Sequence, residues 1–258
     1  MSHTVSFAIP IAPRCRIDYW DKAMDNLNRT LNSIENQTSD SYKIYLIKYY
    51  DTNDKLRLDK KYKNLSILNV STLHEFSEDK DDKTKLALQM HYKDGGIYFF
   101  RLDWDDLVHQ GLVEHIEENP YTHGWMIAQG YFYRPSDNAV IPFDNYWAQC
   151  GSSYAINYSD IECRFGPIEG FHHQKIPMFR KNLGKPLKIV PFFAGMYTVH
   201  GDNISTPKHE RILKDVAWMP IQAIEGLAKT FGLTKDYDDS FKKKALADYI
   251  KYYQIKGG

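Results

Sequence analysis

The chain has 258 residues, 43% hydrophobic and 26% charged, a globular rather than a disordered composition. Lysine plus arginine equals aspartate plus glutamate at 33 each, so there is no global field to hold a polyanion, and no nucleic-acid partner is expected. The cysteines, Cys15, Cys150 and Cys163, form an odd, sparse set without zinc spacing, which excludes a disulfide framework and points to a reducing compartment. No apolar run approaches the roughly 18–20 residues needed to cross a bilayer. The start, MSHTVSFAIPIAPR, lacks the basic-then-apolar pattern of an export signal. A cytoplasmic protein is expected, with one large α/β domain over residues 1–205 and a helical extension, 206–258, packed on it.

Residues 5–11 (VSFAIPI) are apolar and closed by prolines, which predicts a buried first strand. A helix is predicted from 18 to 36, because Trp20, Ala23, Met24, Leu27, Leu31 and Ile34 recur at three and four residues, with Asp18 as N-cap. Residues 43–48 and 65–70 predict two further strands. A charged patch at 78–85 leads into a helix through 93, stopped by Gly95 and Gly96. Residues 97–102 (IYFFRL) predict the fourth strand, followed at once by Asp-Trp-Asp-Asp and a helix over 107–118. Strands alternating with helices predict a mainly parallel sheet. Strands are also expected at 124–133, 146–156 and within 188–200, making the sheet mixed. Residues 221–255 predict a terminal helix with Phe241, Leu246, Tyr249 and Tyr253 on one face. It packs on its own domain or lies on a membrane surface, so peripheral membrane association stays open.

Asp103, Asp105 and Asp106 carry the most chemistry. Ligands of an open α/β sheet bind beyond the carboxyl ends of its strands, and a buried strand ending in three carboxylates brings negative charge there. Such carboxylates repel one another unless a cation intervenes. Hard oxygen ligands suit Mg2+ or Mn2+, which share carboxylates with water and substrate phosphate. In extended backbone, Asp103 and Asp105 would face the same side. The plainer alternative is a helix N-terminus capped by Asp105 or Asp106. An EF-hand starting at Asp103 fails, because Val108 stands where glycine is required. The Gly-rich loop that cradles phosphates in P-loop proteins is also absent.

With FFRLDWDD, the opening VSFAIPIAPR, LNRTLNSIENQT and KIYLIKYYD, residues 5–205 resemble the GT-A glycosyltransferases, specifically the family-2-like group. WAQCGSSYAI and YTVHGDNIS are similar to a bacterial subgroup of it. The resemblance implies a Rossmann-like nucleotide-diphospho-sugar transferase fold, a mixed central sheet flanked by helices, with a C-terminal helical segment. It implies a nucleotide-sugar donor, UDP-sugar favoured, and a glycan acceptor, in surface polysaccharide synthesis. Ile9, Pro10, Ile11, Ala12 and Asp51 would lie at the base and ribose, and Asp82, Lys83 and Lys85 near ribose or diphosphate. Asp103 and Asp105 would hold the ion, with His200 as a further ligand and Trp104 shaping the donor pocket. Imidazole suits manganese, and the Gly201–Asp202 turn is expected to expose the ring. Glu169, then Asp160, are candidates for the base that takes the acceptor proton. His172 and His173 could contact the acceptor, and Gly151–Ser153 could approach a sugar. Trp125 and Trp147 suit core packing. A nucleotidyltransferase lacks support, since the segment after the first strand carries Arg14 and Arg16 but no glycine. A noncatalytic glycan- or nucleotide-binding module would not need the triple aspartate.

Overall fold

The structure, a computed structural model, describes residues 3–50, 55–71, 76–158, 175–200, 213 and 218–233. In chain order its strands are β1 (His3–Pro10), β2 (Tyr42–Tyr49), β3 (Leu65–Val70), β4 (Gly96–Arg101), β5 (Leu107–Val108), β6 (Gly124–Met126), β7 (Gln129–Arg134), β8 (Ala139–Asp144), β9 (Tyr154–Ile156), β10 (Lys188–Ile189), β11 (Gly195–Thr198) and β12 (Met219–Pro220). The helices are α1 (Trp20–Glu35), α2 (Phe76–Lys93), α3 (Leu112–Glu118), α4 (Ile176–Asn182) and α5 (Leu227–Thr230).

Every residue of β1 is buried. That follows from its place in the middle of a seven-stranded sheet, ordered β10-β6-β9-β4-β1-β2-β3. It pairs in parallel with β2 and β4 and is covered on both faces, so it is mainly apolar, and its buried polar residues His3, Thr4 and Ser6 are hydrogen-bonded. The sheet is mixed because β9 runs antiparallel to both β4 and β6. Val5, Phe7 and Ile9 pack on Leu27, Leu31 and Ile34 of α1 and on Leu112 and Ile116 of α3. On the opposite face, Ala8, Tyr45 and Phe99 meet Ala87 and Leu88 of α2 and Ile176 of α4.

A second, five-stranded sheet has the order β12-β8-β7-β11-β5. Leu107, Tyr133, Val140 and Met196 form its core with Ile221, Leu227 and Phe231. The architecture is therefore the expected mixed α/β fold with helices flanking the sheets.

Several boundaries differ from the sequence reading, each for a local reason. Asp18 does not cap α1, whose preceding residue is Tyr19 and which has no side-chain cap bond. The helix expected from Leu107 begins at Leu112, because Leu107 and Val108 pair with Met196 and Gly195 as a short strand. The stretch 124–133 is divided between the two sheets as β6 and β7. Gly130 marks the close approach: a Cβ there would lie 2.3 Å from the Tyr146 ring. Residues 146–148 are a 3-10 turn rather than strand, and β8 was not foreseen. Of the predicted terminal helix, the described part is a 3-10 turn at Ile221–Ala223 followed by α5; its apolar face at 241–253 lies outside the described residues.

The glycine stop after α2 holds, with Gly95 at φ 72°. Beside it, His91 is buried and its Nδ1 lies 2.7 Å from Ser6 Oγ, which also meets His3 Nε2 at 2.5 Å. A Cβ on Gly96 would fall 2.2 Å from the His91 ring, so strand and helix are packed to contact here. Burial, then the neighbouring His3, pushes His91 down to about 4 from 6.5. His3 is shifted down as well, by burial and then by Lys43, against the opposing pull of Asp94. A histidine buried neutral makes the unfolded chain the stronger proton binder between those two values. Its contribution is therefore complete above about pH 6.5 and lost as pH falls through about 4. Unfolding free energies from urea titrations at pH 7 and pH 4 should fall by roughly 2–3 kcal/mol more in the wild type than in His91→Gln.

Candidate active site

β1 and β4 end side by side, and the Leu102 N–H donates to Ala8 O at 2.9 Å. The three aspartates follow directly. They do not lie on extended backbone: the Asp106 N–H donates to Asp103 O at 3.1 Å, closing a turn. The extended geometry expected for Asp103 and Asp105 is therefore replaced by a turn, and each carboxylate has its own partner. Asp103 Oδ1 receives the Lys80 ammonium at 2.6 Å, from α2. Asp105 Oδ2 lies 2.9 Å from His200 Nε2, beyond the end of β11. Asp106 turns inward, with no exposed surface.

Asp106 is a hub rather than a helix cap. Its Oδ1 accepts the Thr198 N–H at 3.3 Å, and its Oδ2 accepts the Cys150 thiol at 3.1 Å. The Ser152 hydroxyl also bonds Asp106, while Ser152 Oγ accepts the Asp103 N–H at 2.8 Å. The acid turn, the 150–153 loop and β11 are thus tied through one carboxyl group. Burial first, then the charges of Asp105 and Asp103, push Asp106 well above the ordinary carboxylate range. Cys150 is likewise pushed up by burial and the adjacent Asp106, so it is not a nucleophile in waiting.

Polar side chains of α1 hold the turn from beneath. The Thr30 hydroxyl donates to Trp104 O at 2.9 Å, and Ser33 Oγ accepts the Val108 N–H at 3.2 Å. Gln37 donates to His109 O at 2.8 Å and accepts the Val113 N–H at 3.0 Å. Thr30 and Ser33 lie on one face of α1, and Gln37 follows just past its C-terminal cap. They satisfy backbone groups that would otherwise be buried without partners.

His200 is not exposed as its following turn suggested; its side chain is 2% accessible. The ring is flanked by Tyr19 and Trp104, with centroids 6.0 and 6.2 Å away. The Lys22 ammonium donates to its carbonyl at 2.9 Å. Trp104 is partly buried against the core.

The other sequence candidates separate by position. The side chains of Ile9 and Ile11 are buried in the core, and their backbone is engaged in the fold, Ile9 opposite Leu46 of β2 and the Ile11 N–H donating to Ile47 O at 2.9 Å, while Ala12 is half-buried. Pro10 is buried and ends β1. Lys83 is fully buried and donates to Ile11 O and to Asp79 Oδ2, both at 2.6 Å. It fastens α2 under the first strand and does not present its amine to a donor. Asp82 and Lys85 pair at 3.5 Å on the outer part of the same helix. Trp125 is core, and Trp147 packs against the second apolar cluster. Ser152 and Ser153 are buried, Ser152 bonding the acid turn and Ser153 donating to Cys150 O within its own loop. Asp51, Asp160, Glu169, His172, His173, Gly201 and Asp202 lie outside the described residues.

Sequence reasoning missed Lys80 and Arg101 as parts of this site; it named Asp106 and Ser152, but not as the buried supports of the acid turn. Lys80 lay inside the charged patch already singled out, and the signal was its place one turn before Lys83. Arg101 lines a cavity with Phe99, Gly151, Tyr154, Ile156, Tyr158 and Ile176. Gly151 lets this wall approach: a Cβ there would lie 3.3 Å from Arg101 Nη2 and 3.9 Å from Asp103 Oδ2.

Among the described residues, no group of three or more His, Cys, Asp or Glu is arranged to hold a metal ion. The donors present fit a smaller protein share. Asp105 and His200 are in contact and offer a hard oxygen and an imidazole nitrogen, with Asp103 alongside under Lys80. That suits an ion whose remaining positions go to water and phosphate oxygens. No described helix is long and apolar enough to cross a membrane.

No family model matches the sequence, and no curated protein matches it. Among solved structures, the chain is similar to S. aureus TarS 1-349 at 11% identity and TM-score 0.45, covering 96% of this chain and 70% of that one. It is similar to a longer S. aureus TarS chain at 11% identity and TM-score 0.46, covering 96% of this chain and 42% of that one.

Replacing Asp106 tests the hub. Asp106→Asn keeps the shape and one acceptor oxygen for the Thr198 N–H, while its amide N–H turns to the Cys150 sulfur as a weak acceptor, and it should cost about 1 kcal/mol in chemical denaturation. Asp106→Ala strands those buried donors and opens a void, and should cost about 3 kcal/mol.

Proposed function

We propose that this protein is a metal-dependent glycosyltransferase of the GT-A type. It moves a sugar from a nucleotide-diphosphate sugar, UDP-sugar favoured, to a glycan acceptor in surface polysaccharide synthesis, and acts in the cytoplasm. The observation that carries the reading is the meeting of Asp105 with His200 at 2.9 Å, directly beyond the end of β4. Two ligand types suited to manganese or magnesium converge there from distant parts of the chain, where an open α/β sheet binds its ligands.

Cleaving the anomeric bond leaves a diphosphate with growing negative charge. A bound Mn2+ or Mg2+ supplies neutralisation of that charge. Asp105 and His200 would hold the ion, with Asp103 beside them. The chain's task is to keep these groups oriented before substrate arrives, since preorganised charge costs no rearrangement during reaction. Asp106, Ser152 and the polar side chains of α1 do this by fixing the turn and the β11 exit. Trp104 and Tyr19 close the sides of His200 against water. Ala12 and Asp51 are the groups proposed near the nucleoside, with Asp82 and Lys85 on the outer rim. The acceptor hydroxyl must lose a proton, and Glu169, then Asp160, are proposed to take it.

A thermal-shift panel of UDP, GDP, CMP and dTDP with and without Mn2+ tests the reading. One diphosphate should raise the melting temperature only with Mn2+ present, and Asp105→Ala should abolish the rise. Equal stabilisation of the Asp105→Ala protein would remove the site from this position.

A further inference from the structure

In the structure a lysine stands where a cation would be expected. Lys80 Nζ lies 2.6 Å from Asp103 Oδ1, and the two side chains are 33% and 26% accessible, so the pair sits at the rim of the site rather than in the core. Its helix cannot drift: Lys83, one turn further on, is fully buried and joins Asp79 and Ile11 O at 2.6 Å. Lys80 is itself anchored through its carbonyl, which accepts the Thr84 hydroxyl at 2.7 Å. The backbone of Lys80 is therefore fixed at the carboxyl ends of β1 and β4, while its long side chain keeps the freedom to choose a partner.

An ammonium at hydrogen-bond distance from Asp103 and a divalent ion on the same carboxylate exclude each other, because like charges at that range repel and compete for one oxygen. When the ion arrives, the lysine must leave. The nearest new anion, on the proposed function, is the diphosphate that shares the ion. A lysine is suited to this exchange, being a flexible point charge with three rotatable donors.

We propose that Lys80 is an internal stand-in for the cation: it neutralises Asp103 in the free protein and, when metal and nucleotide bind, moves to a diphosphate oxygen. This rests on the glycosyltransferase reading for its ligand. The device has a consequence that a fixed salt bridge or a simple phosphate contact does not. Removing the ammonium helps metal binding alone and harms diphosphate binding once metal is present.

The test uses the full chain and two titrations by calorimetry: Mn2+ alone, then UDP at saturating Mn2+. Lys80→Met keeps the aliphatic stem and removes the charge. It should bind Mn2+ roughly fivefold more tightly than wild type, and UDP with Mn2+ roughly tenfold more weakly. Unchanged or weaker Mn2+ binding, or unchanged UDP binding, by a folded Lys80→Met protein overturns the proposal. Lys80→Arg covers the case in which that variant does not fold. Its guanidinium grips a carboxylate with two bonds and should weaken Mn2+ binding alone several-fold; no weakening overturns the proposal equally. Wild-type protein that fails to bind UDP with Mn2+ defeats the functional reading for that nucleotide. The opposite-sign comparison between variants addresses Lys80 itself.

Discussion

A carboxyl group sealed from water organises this protein. Asp106 has no exposed surface, yet it is bonded from β11 by Thr198, from the 150–153 loop by Cys150 and Ser152, and lies within the turn that displays Asp103 and Asp105. Burying such a group is costly unless its hydrogen bonds are made. Segments distant in the chain must therefore meet at it correctly, or the cost is incurred. That requirement sets where His200, two residues past Thr198, comes to rest against Asp105. The geometry of the Asp105–His200 pair is inherited from the sealed carboxyl beside it.

Around this hub, charge is balanced locally. Among the described residues, Lys83 answers Asp79 in the interior and Lys80 answers Asp103 at the rim. The buried pair is structural, since removing either partner would leave a charge without compensation. The rim pair is partly solvated, and its attraction is correspondingly modest. The two lysines lie within one helical turn and have the same chemistry, and their difference in burial separates scaffold from site. The same contrast appears among the aspartates: Asp106 is enclosed, while Asp103 keeps a quarter of its side chain accessible at 26%.

The fold was legible where packing alone decides it. β1 is apolar from Phe7 to Pro10 and buried throughout because parallel neighbours cover both its faces, and the apolar spacing of α1 marks the side that meets the sheet. The second sheet was legible only in part. Leu107 and Val108 read as the start of a helix because their apolar character does not reveal that β11 returns beside them, a contact set by residues almost ninety positions away. At the site, the aspartate cluster was evident, but its roles were not. Spacing suggested extended backbone for Asp103 and Asp105; they lie in one turn instead, and the fully enclosed member is Asp106. His200 was identified only through family resemblance, and its burial between Tyr19 and Trp104 depends on tertiary packing that a local Gly-Asp signal cannot report. Lys83 drew attention by its charge, although its neighbours Asp79 and Ile11 consume that charge in the interior.

The central claim is that Asp105 and His200 share a divalent cation with a diphosphate. Electron spin-echo spectroscopy of Mn2+ added to the protein with UDP addresses it directly. The account predicts a nitrogen coupling from the His200 imidazole and a phosphorus coupling from the nucleotide on the same ion, with the nitrogen signal absent in His200→Ala. Bound Mn2+ that shows phosphorus but no nitrogen, or a nitrogen signal that survives the substitution, would contradict it.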